Sequence, residues 1–306
     1  MFKYLVGRIL WMVPVLLGIS ILTFLIMHLV PGGPWDREKA LAPAVIENLN
    51  RKYGLDDPLW KQYATFVGNA LRGDLGISYT YQDRPVTSII LQGLPKTAAI
   101  GLIAFSLALA VGIPLGMAAA IKHNSWVDYL SVQFATIFAA VPGFILAFLL
   151  IIVLSITLHL LPTGGWGKPQ HMVLPSLALA ALPAAYIARI ARASMLEVLG
   201  QDYIRTAHSK GLAPGVIYYR HALKNALIPV LSVTGPELAA LITGSFIIEQ
   251  IFAVPGIGRL FVQGVFQRDY GLIMGTVLFY AAVIALLNLA VDILYSVVDP
   301  RIRYNE

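Results

Sequence analysis

Residue types able to do chemistry are few in this 306-residue sequence, and they are scattered. There is no cysteine, so disulfides, thiol nucleophiles and cysteine-based zinc or iron–sulfur sites are excluded. No H-E-x-x-H places two histidines on one helix face for zinc, and no G-x-S-x-G presents a serine nucleophile. Gly164-Gly165-Trp166-Gly167-Lys168 has the glycines of a phosphate loop, but Pro169 stands where Ser or Thr must meet magnesium. Gly256-Ile257-Gly258 lacks the third glycine and the strand–helix context of a dinucleotide fingerprint, and reads as a turn. Two ionisable residues, His28 and Asp292, fall within long apolar runs. A carboxylate in hydrocarbon is costly and is a functional suspect by default. Asp292, however, lies about two turns from the end of its run, where a loop Arg or Lys can pair with it, so the structural reading is preferred. The expectation is a chain that catalyses nothing itself and binds no cofactor, metal or nucleic acid.

The densest polar chemistry lies between Arg189 and Asn225. Asp202 can cap a short helix whose Tyr203, Ile204 and Ala207 form an apolar patch. Lys210 falls in its last turn, where a cation suits the helix dipole. Gly211 can take the left-handed conformation that ends helices, and Pro214 suits the first turn of the next one. In that second helix Val216, Tyr219 and Leu223 share one face, away from Arg220, His221 and Lys224. The expected element is helix–Gly–helix. It either docks on a protein partner or rests on anionic lipid headgroups as a basic amphipathic stretch.

The elements that must position this loop are membrane helices. The chain is 58% hydrophobic and 12% charged, with mean hydropathy +0.75. A soluble domain is about half apolar and about a quarter charged, so lipid has to cover the surplus. At about 20 apolar residues per crossing, six segments qualify, roughly 9–30, 97–121, 129–158, 172–190, 226–248 and 272–298. The third is long enough to tilt or to project beyond the bilayer. Pro175 and Pro183 make the fourth the weakest. The first run exceeds the roughly 7–15 residues of a signal-peptide core and no small-residue cleavage site follows, so it is read as a retained helix.

Charge sets the orientation. Lys3, Arg8, Lys122, Arg301, Arg303 and the cations of Arg189–Lys224 fall on one side, against Lys168, Arg259 and Arg268 in the opposite short loops. Positive charge stays in the cytoplasm, which predicts cytoplasmic termini and an external segment over 31–96. Within that segment Ala44–Tyr53 and Leu59–Leu71 have helical spacing, with Asp56-Asp57-Pro58 as turn and cap between them. The expected organisation is an N-terminal span (1–30), an extracytoplasmic segment with short helices (31–96) and a five-helix core (97–306) that carries the cytoplasmic loop 189–225. A proton- or sodium-coupled carrier needs a chain of ionisable groups near the midplane, and none is seen.

The run Tyr203-Ile204-Arg205-Thr206-Ala207-His208-Ser209-Lys210-Gly211-Leu212, followed by Arg220-His221-Ala222-Leu223-Lys224-Asn225-Ala226-Leu227-Ile228-Pro229, resembles the EAA loop of ATP-binding-cassette importer permeases. Arg205 and Thr206 replace the family's Glu and first Ala, and the proline motif comes about five residues late, as in its peptide and nickel branch. Other resemblances run along the chain: Leu29-Val30-Pro31-Gly32-Gly33-Pro34, Tyr53-Gly54-Leu55-Asp56-Asp57-Pro58, Gly73-Asp74-Leu75-Gly76, Glu249–Phe261, Arg268-Asp269-Tyr270 and Asp299-Pro300-Arg301. Together they are similar to the B-type permeases of oligopeptide and dipeptide importers.

That resemblance implies an all-α, type I importer bundle with a cytoplasmic coupling helix, paired with a C-type permease. It further implies two cytoplasmic ATPases that hold ATP and magnesium, and an extracytoplasmic peptide-binding protein. It places Tyr203, Ile204, Arg205, Thr206, Ala207, Lys210, Gly211 and Leu212 at the ATPase contact. Glu249, Phe252, Pro255, Gly256 and Gly258, in an outer re-entrant turn, become candidates for contact with substrate or binding protein. An importer for nickel, glutathione or another small solute remains open within the family. Outside it stand an ion-coupled secondary transporter and a non-transporting membrane scaffold.

Overall fold

The computed structural model describes residues 2–35, 42–81 and 84–298, apart from the side chains of 2–6, 292 and 294–298. Asp292 therefore contributes only its helical backbone here, and Asp299-Pro300-Arg301 with Arg303 lies outside the described residues. Thirteen α-helical segments follow one another among the described residues, joined by loops and, in two places, by π-helical turns. They are α1 (Phe2–Leu29), α2 (Pro43–Tyr53), α3 (Leu59–Ala70), α4 (Val86–Ile121), α5 (Trp126–Ala140), α6 (Gly143–Leu150) and α7 (Gln170–Leu199), then α8 (Asp202–Ser209), α9 (Pro214–Val216), α10 (Leu223–Thr243), α11 (Phe246–Ile251), α12 (Ile257–Phe266) and α13 (Tyr270–Val298). The π-helical turns are Ile151–Thr157 after α6 and Ile217–Ala222 between α9 and α10. Among the described residues five helices are long and apolar enough to cross a bilayer, or six if the bent pair α5–α6 counts as one span.

That bend is 103° and falls at Val141–Pro142. Tilting or overhang of one long helix is the expectation it replaces. Proline has no N–H, and its ring drives the preceding residue out of the helical region. Val141 is accordingly extended (φ −85°, ψ 119°) and Pro142 continues extended (φ −56°, ψ 136°) before α6 restarts. Pro175, Pro183, Pro229 and Pro236 sit inside helices that continue through them. A second difference concerns α4, which begins at Val86 rather than near residue 97. Val86, Ile89 and Ile90 recur at helical spacing and are almost fully buried, so packing extends the helix beyond its apolar run.

The chain forms two compact units. The first gathers the residues up to Thr97 with Pro255–Leu289. Its core packs Val86, Ile89 and Ile90 against Ile257, Leu272 and Tyr280, and a second cluster joins Phe24 and Met27 to Ile273 and Met274. The second unit gathers Ala98–Val254 with the end of α13 from Ala290. There α4 and α7 approach backbone to backbone, since a β-carbon on Gly116 would lie 2.3 Å from the Ala188 carbonyl oxygen. Small residues on both helices (Ala104, Ala108, Ala180, Ala184, Ala191) make that approach possible.

Candidate functional site

The helix–Gly–helix element forms, with one change at its start. Gln201 (φ −76°, ψ 149°) occupies the N-cap and makes no side-chain cap bond. Asp202, expected to cap, is instead the first helical residue, where its carboxylate faces the positive end of the dipole and lies 3.4 Å from Arg205. At the other end Lys210 is the C-cap and Gly211 is left-handed at φ +72°. The Gly211 N–H donates to His208 (2.9 Å) and the Leu212 N–H to Ala207 (3.4 Å), the paired bonds of a Schellman ending.

Two of the eight residues expected at a partner contact turn inward. Ile204 and Ala207 are buried against Ala120, Met195, Val198, Ile217, Ala222 and Ala226. Burying an aliphatic side chain such as Ile204 is worth about 1.5–3 kcal/mol, enough to hold a two-turn helix that could not persist alone. Tyr203, Arg205, Thr206, Lys210, Gly211 and Leu212 remain on the surface, and the Tyr203 hydroxyl accepts a 2.7 Å bond from the Asn225 amide. The next helix starts with Pro214 in its first turn. In it Val216 and Tyr219 are exposed, while Ile217 and Ala222 are buried. The π-helical turn accounts for this, because it spaces inward positions five residues apart at 217 and 222 before the α-helical spacing resumes at Ala226 and Val230. The outward surface carries Arg205, Lys210, Arg220 and Lys224 among Tyr203, Leu212, Val216 and Tyr219.

The stretch from Glu249 to Phe261 has the opposite character. Glu249, Phe252, Gly256 and Gly258 are buried, Pro255 is half-buried, and Ala253 at the tip is exposed. Here α11 closes with the same pair of bonds, Ala253 N–H to Gln250 (3.3 Å) and Val254 N–H to Glu249 (2.9 Å), with Ala253 in the left-handed region at φ +51°. Gly256 offers no side-chain cap to α12, and the Thr97 hydroxyl accepts from the Ile257 N–H at 2.9 Å instead.

The Arg268-Asp269-Tyr270 motif acquires a structural meaning. The buried Asp269 carboxylate accepts from the Leu272 N–H in the first turn of α13 (3.0 Å), from the Thr80 N–H (3.0 Å) and from the Ser78 hydroxyl. Burial first, and then the Asp269 charge, push the Tyr79 hydroxyl well above its ordinary range, so it stays neutral at physiological pH. Sequence reading passed over one cluster entirely. Asp128 in the first turn of α5 is buried and accepts from Arg192 Nε (2.6 Å), Arg192 Nη2 (2.8 Å) and the Asn124 N–H (3.1 Å), with His123 Nδ1 at 3.1 Å. The only local signal was Ser125-x-x-Asp128, the spacing of a capping box. No three His, Asp or Glu side chains converge as a metal site among the described residues.

Two family descriptions match the chain: "Binding-protein-dependent transport system inner membrane component" over residues 112–304, and the N-terminal part of the membrane component of such systems over residues 1–101. The dipeptide transport system permease protein DppB of Bacillus subtilis is 42% identical over 306 residues, covering 100% of this chain and 99% of that protein. The oligopeptide transport system permease protein OppB of Salmonella typhimurium is 44% identical over 99% of this chain and 100% of its own length, and that of Escherichia coli K12 is 42% identical over the same shares. In fold, the inward-facing MetNI methionine ABC transporter matches with a TM-score of 0.59 at 20% identity, over 69% of this chain and 96% of that one. A long apolar bundle, a helix–Gly–helix loop held at its surface and these full-length likenesses agree, and the chain belongs to the family of binding-protein-dependent transport system inner membrane components.

Proposed function

We infer that this chain is the membrane-spanning permease subunit of an ATP-binding-cassette importer that moves dipeptides or oligopeptides. The observation that carries the reading is α8: a short helix pinned from behind by Ile204 and Ala207, with Tyr203, Arg205, Thr206, Lys210, Gly211 and Leu212 left outward. Such a surface suits a partner that supplies energy. The peptide cargo rests on the names and full-length similarity of the dipeptide and oligopeptide permeases. In this reading α8 enters a groove on one of two cytoplasmic ATPases, which bind ATP and magnesium. A homologous C-type permease completes the path, and an extracytoplasmic binding protein delivers the peptide. Ile204 and Ala207 act as the anchor of the coupling helix, and at the re-entrant turn contact with the binding protein, rather than with cargo, falls to exposed Ala253 and half-buried Pro255. ATP-driven closure of the ATPases then biases two arrangements of the paired bundles, which alternates access to the path.

Both termini are cytoplasmic, as the charge bias of the short loops requires. Single cysteines suit this cysteine-free sequence, and Asn50→Cys should be labelled by an impermeant thiol reagent on intact cells. Labelling only after lysis reverses the topology. The functional test is uptake of labelled peptides by proteoliposomes that hold the complete complex. Uptake should require internal or external ATP on the ATPase side and persist when the proton gradient is collapsed. Uptake that ignores ATP and follows the gradient would replace this reading with a secondary carrier.

A further inference from the structure

We propose that Arg192 and Asp128 are positioning residues for transport, forming the joint through which movement of α8 reaches α5; this rests on the importer reading above. Four observations converge. First, α8 is not a free lever. Ile204 and Ala207 bury against Met195 and Val198 near the end of α7 and against Ala120 near the end of α4. A push on α8 is therefore delivered to the ends of those two helices. Second, α4 and α7 form one body at this end. A β-carbon on Gly116 would meet the Ala188 carbonyl oxygen at 2.3 Å and the Ala191 β-carbon at 2.8 Å, so the two backbones are in direct contact there.

Third, the turn between α4 and α5 is short and fixed. Asn124 is left-handed at φ +59°, and its N–H, together with His123, meets the Asp128 carboxylate. Arg192, about two turns before the end of α7, grips both oxygens of that carboxylate at 2.6 and 2.8 Å, the bidentate geometry that fixes orientation as well as distance. The buried carboxylate thus ties together the end of α4, the start of α5 and α7. Fourth, α5 ends at the 103° bend, so the segment the pair holds is the first half of the broken span. The pair ties the body that carries the coupling helix to the start of the broken span.

A buried ion pair can also be a brace with no part in transmission, and single substitutions cannot separate the two. Removing one partner leaves a buried unpaired charge and destabilises the fold whatever its role. Replacing both with apolar residues of similar size removes that penalty, so the informative variant is Asp128→Leu with Arg192→Met. It should be purified as the full complex with its ATPases and binding protein, in proteoliposomes. We expect assembly near wild-type amounts and ATP turnover near wild-type rates, with the ATP consumed per peptide imported rising about threefold or more, within the range that residues along packed networks contribute to coupling. Arg192→Lys, which keeps the charge and loses the fork, should give a smaller rise. An unchanged ratio in the doubly apolar complex overturns the proposal. So does a doubly apolar complex that fails to assemble while Arg192→Lys couples normally, since the pair is then a brace alone. If the wild-type complex imports without ATP, the importer reading fails first, and that result is distinguishable because it appears before any substitution is made.

Discussion

The ends of α8 and α11 close with the same two hydrogen bonds, yet they are built from different residues. At α8 the left-handed position is Gly211, exposed and flanked by exposed Lys210 and Leu212. At α11 it is Ala253, at φ +51°, flanked by Phe252 and Val254, both fully buried. Alanine in that region carries roughly 1 kcal/mol of steric strain, and the burial of its two neighbours offsets it several times over. The surface end has no such reserve, so there glycine makes the turn without strain. The contrast separates two uses of one motif: around Ala253 the turn serves the interior, and around Gly211 it shapes a surface offered outward.

Substitutions should expose that contrast. The largest effect is expected at Phe252, whose side chain is wholly inside. Phe252→Ala should cost about 3–5 kcal/mol and lower the thermal midpoint of the purified complex markedly. The surviving fraction should keep its peptide selectivity. Altered selectivity at unchanged stability would mean that this turn is read by cargo after all. Next comes Asp269→Ala, which removes the α13 cap and strips the Ser78 hydroxyl and Thr80 N–H of their acceptor. A loss of about 1–3 kcal/mol is expected, again in stability, and hydrogen exchange should rise at Thr80 and Leu272 ahead of the rest of α13. The smallest effect belongs to Tyr203→Phe. It deletes the oxygen that accepts from Asn225 on an exposed surface, and should change stability by about 1 kcal/mol or less. If Tyr203→Phe unfolds the loop, the element is held from its outer side and the anchoring role of Ile204 and Ala207 is wrong.

Much of this was legible in the sequence because the signals were local. Apolar runs longer than a bilayer marked the spans, and Gly211 with Pro214 marked the end of one helix and the start of the next. What escaped was tertiary. Every membrane proline frees a carbonyl, yet among the described residues the helices continue through Pro175, Pro183, Pro229 and Pro236 while the span breaks at Pro142, and no local pattern separates the two cases. The inward face after Pro214 was not readable because one π-helical turn shifts the register, and no residue pattern announces it. Asp128 and Arg192 lie 64 residues apart, so nothing in either local run shows that they meet. The extension of α4 back to Val86 was, in contrast, available: Val86, Ile89, Ile90 and Gly93 have helical spacing, and the search for a bilayer-length apolar run passed over it.

The central claim is that the Gly211 turn shapes a surface that an ATPase engages. Apart from Gly211 and its two chain neighbours, no described atom lies within 4 Å of where a β-carbon would sit, so a substitution there acts through backbone strain and the outward surface rather than through the core. Gly211→Val should insert in the membrane normally, at a local cost of about 1 kcal/mol or more. The measurement is co-purification of the ATPases with the Gly211→Val permease, together with the peptide-stimulated ATP turnover of whatever complex forms. The account predicts weakened attachment, or attachment with hydrolysis no longer stimulated by peptide. A fully assembled complex with wild-type stimulated turnover would contradict it and leave α8 as a helix that merely lies against lipid.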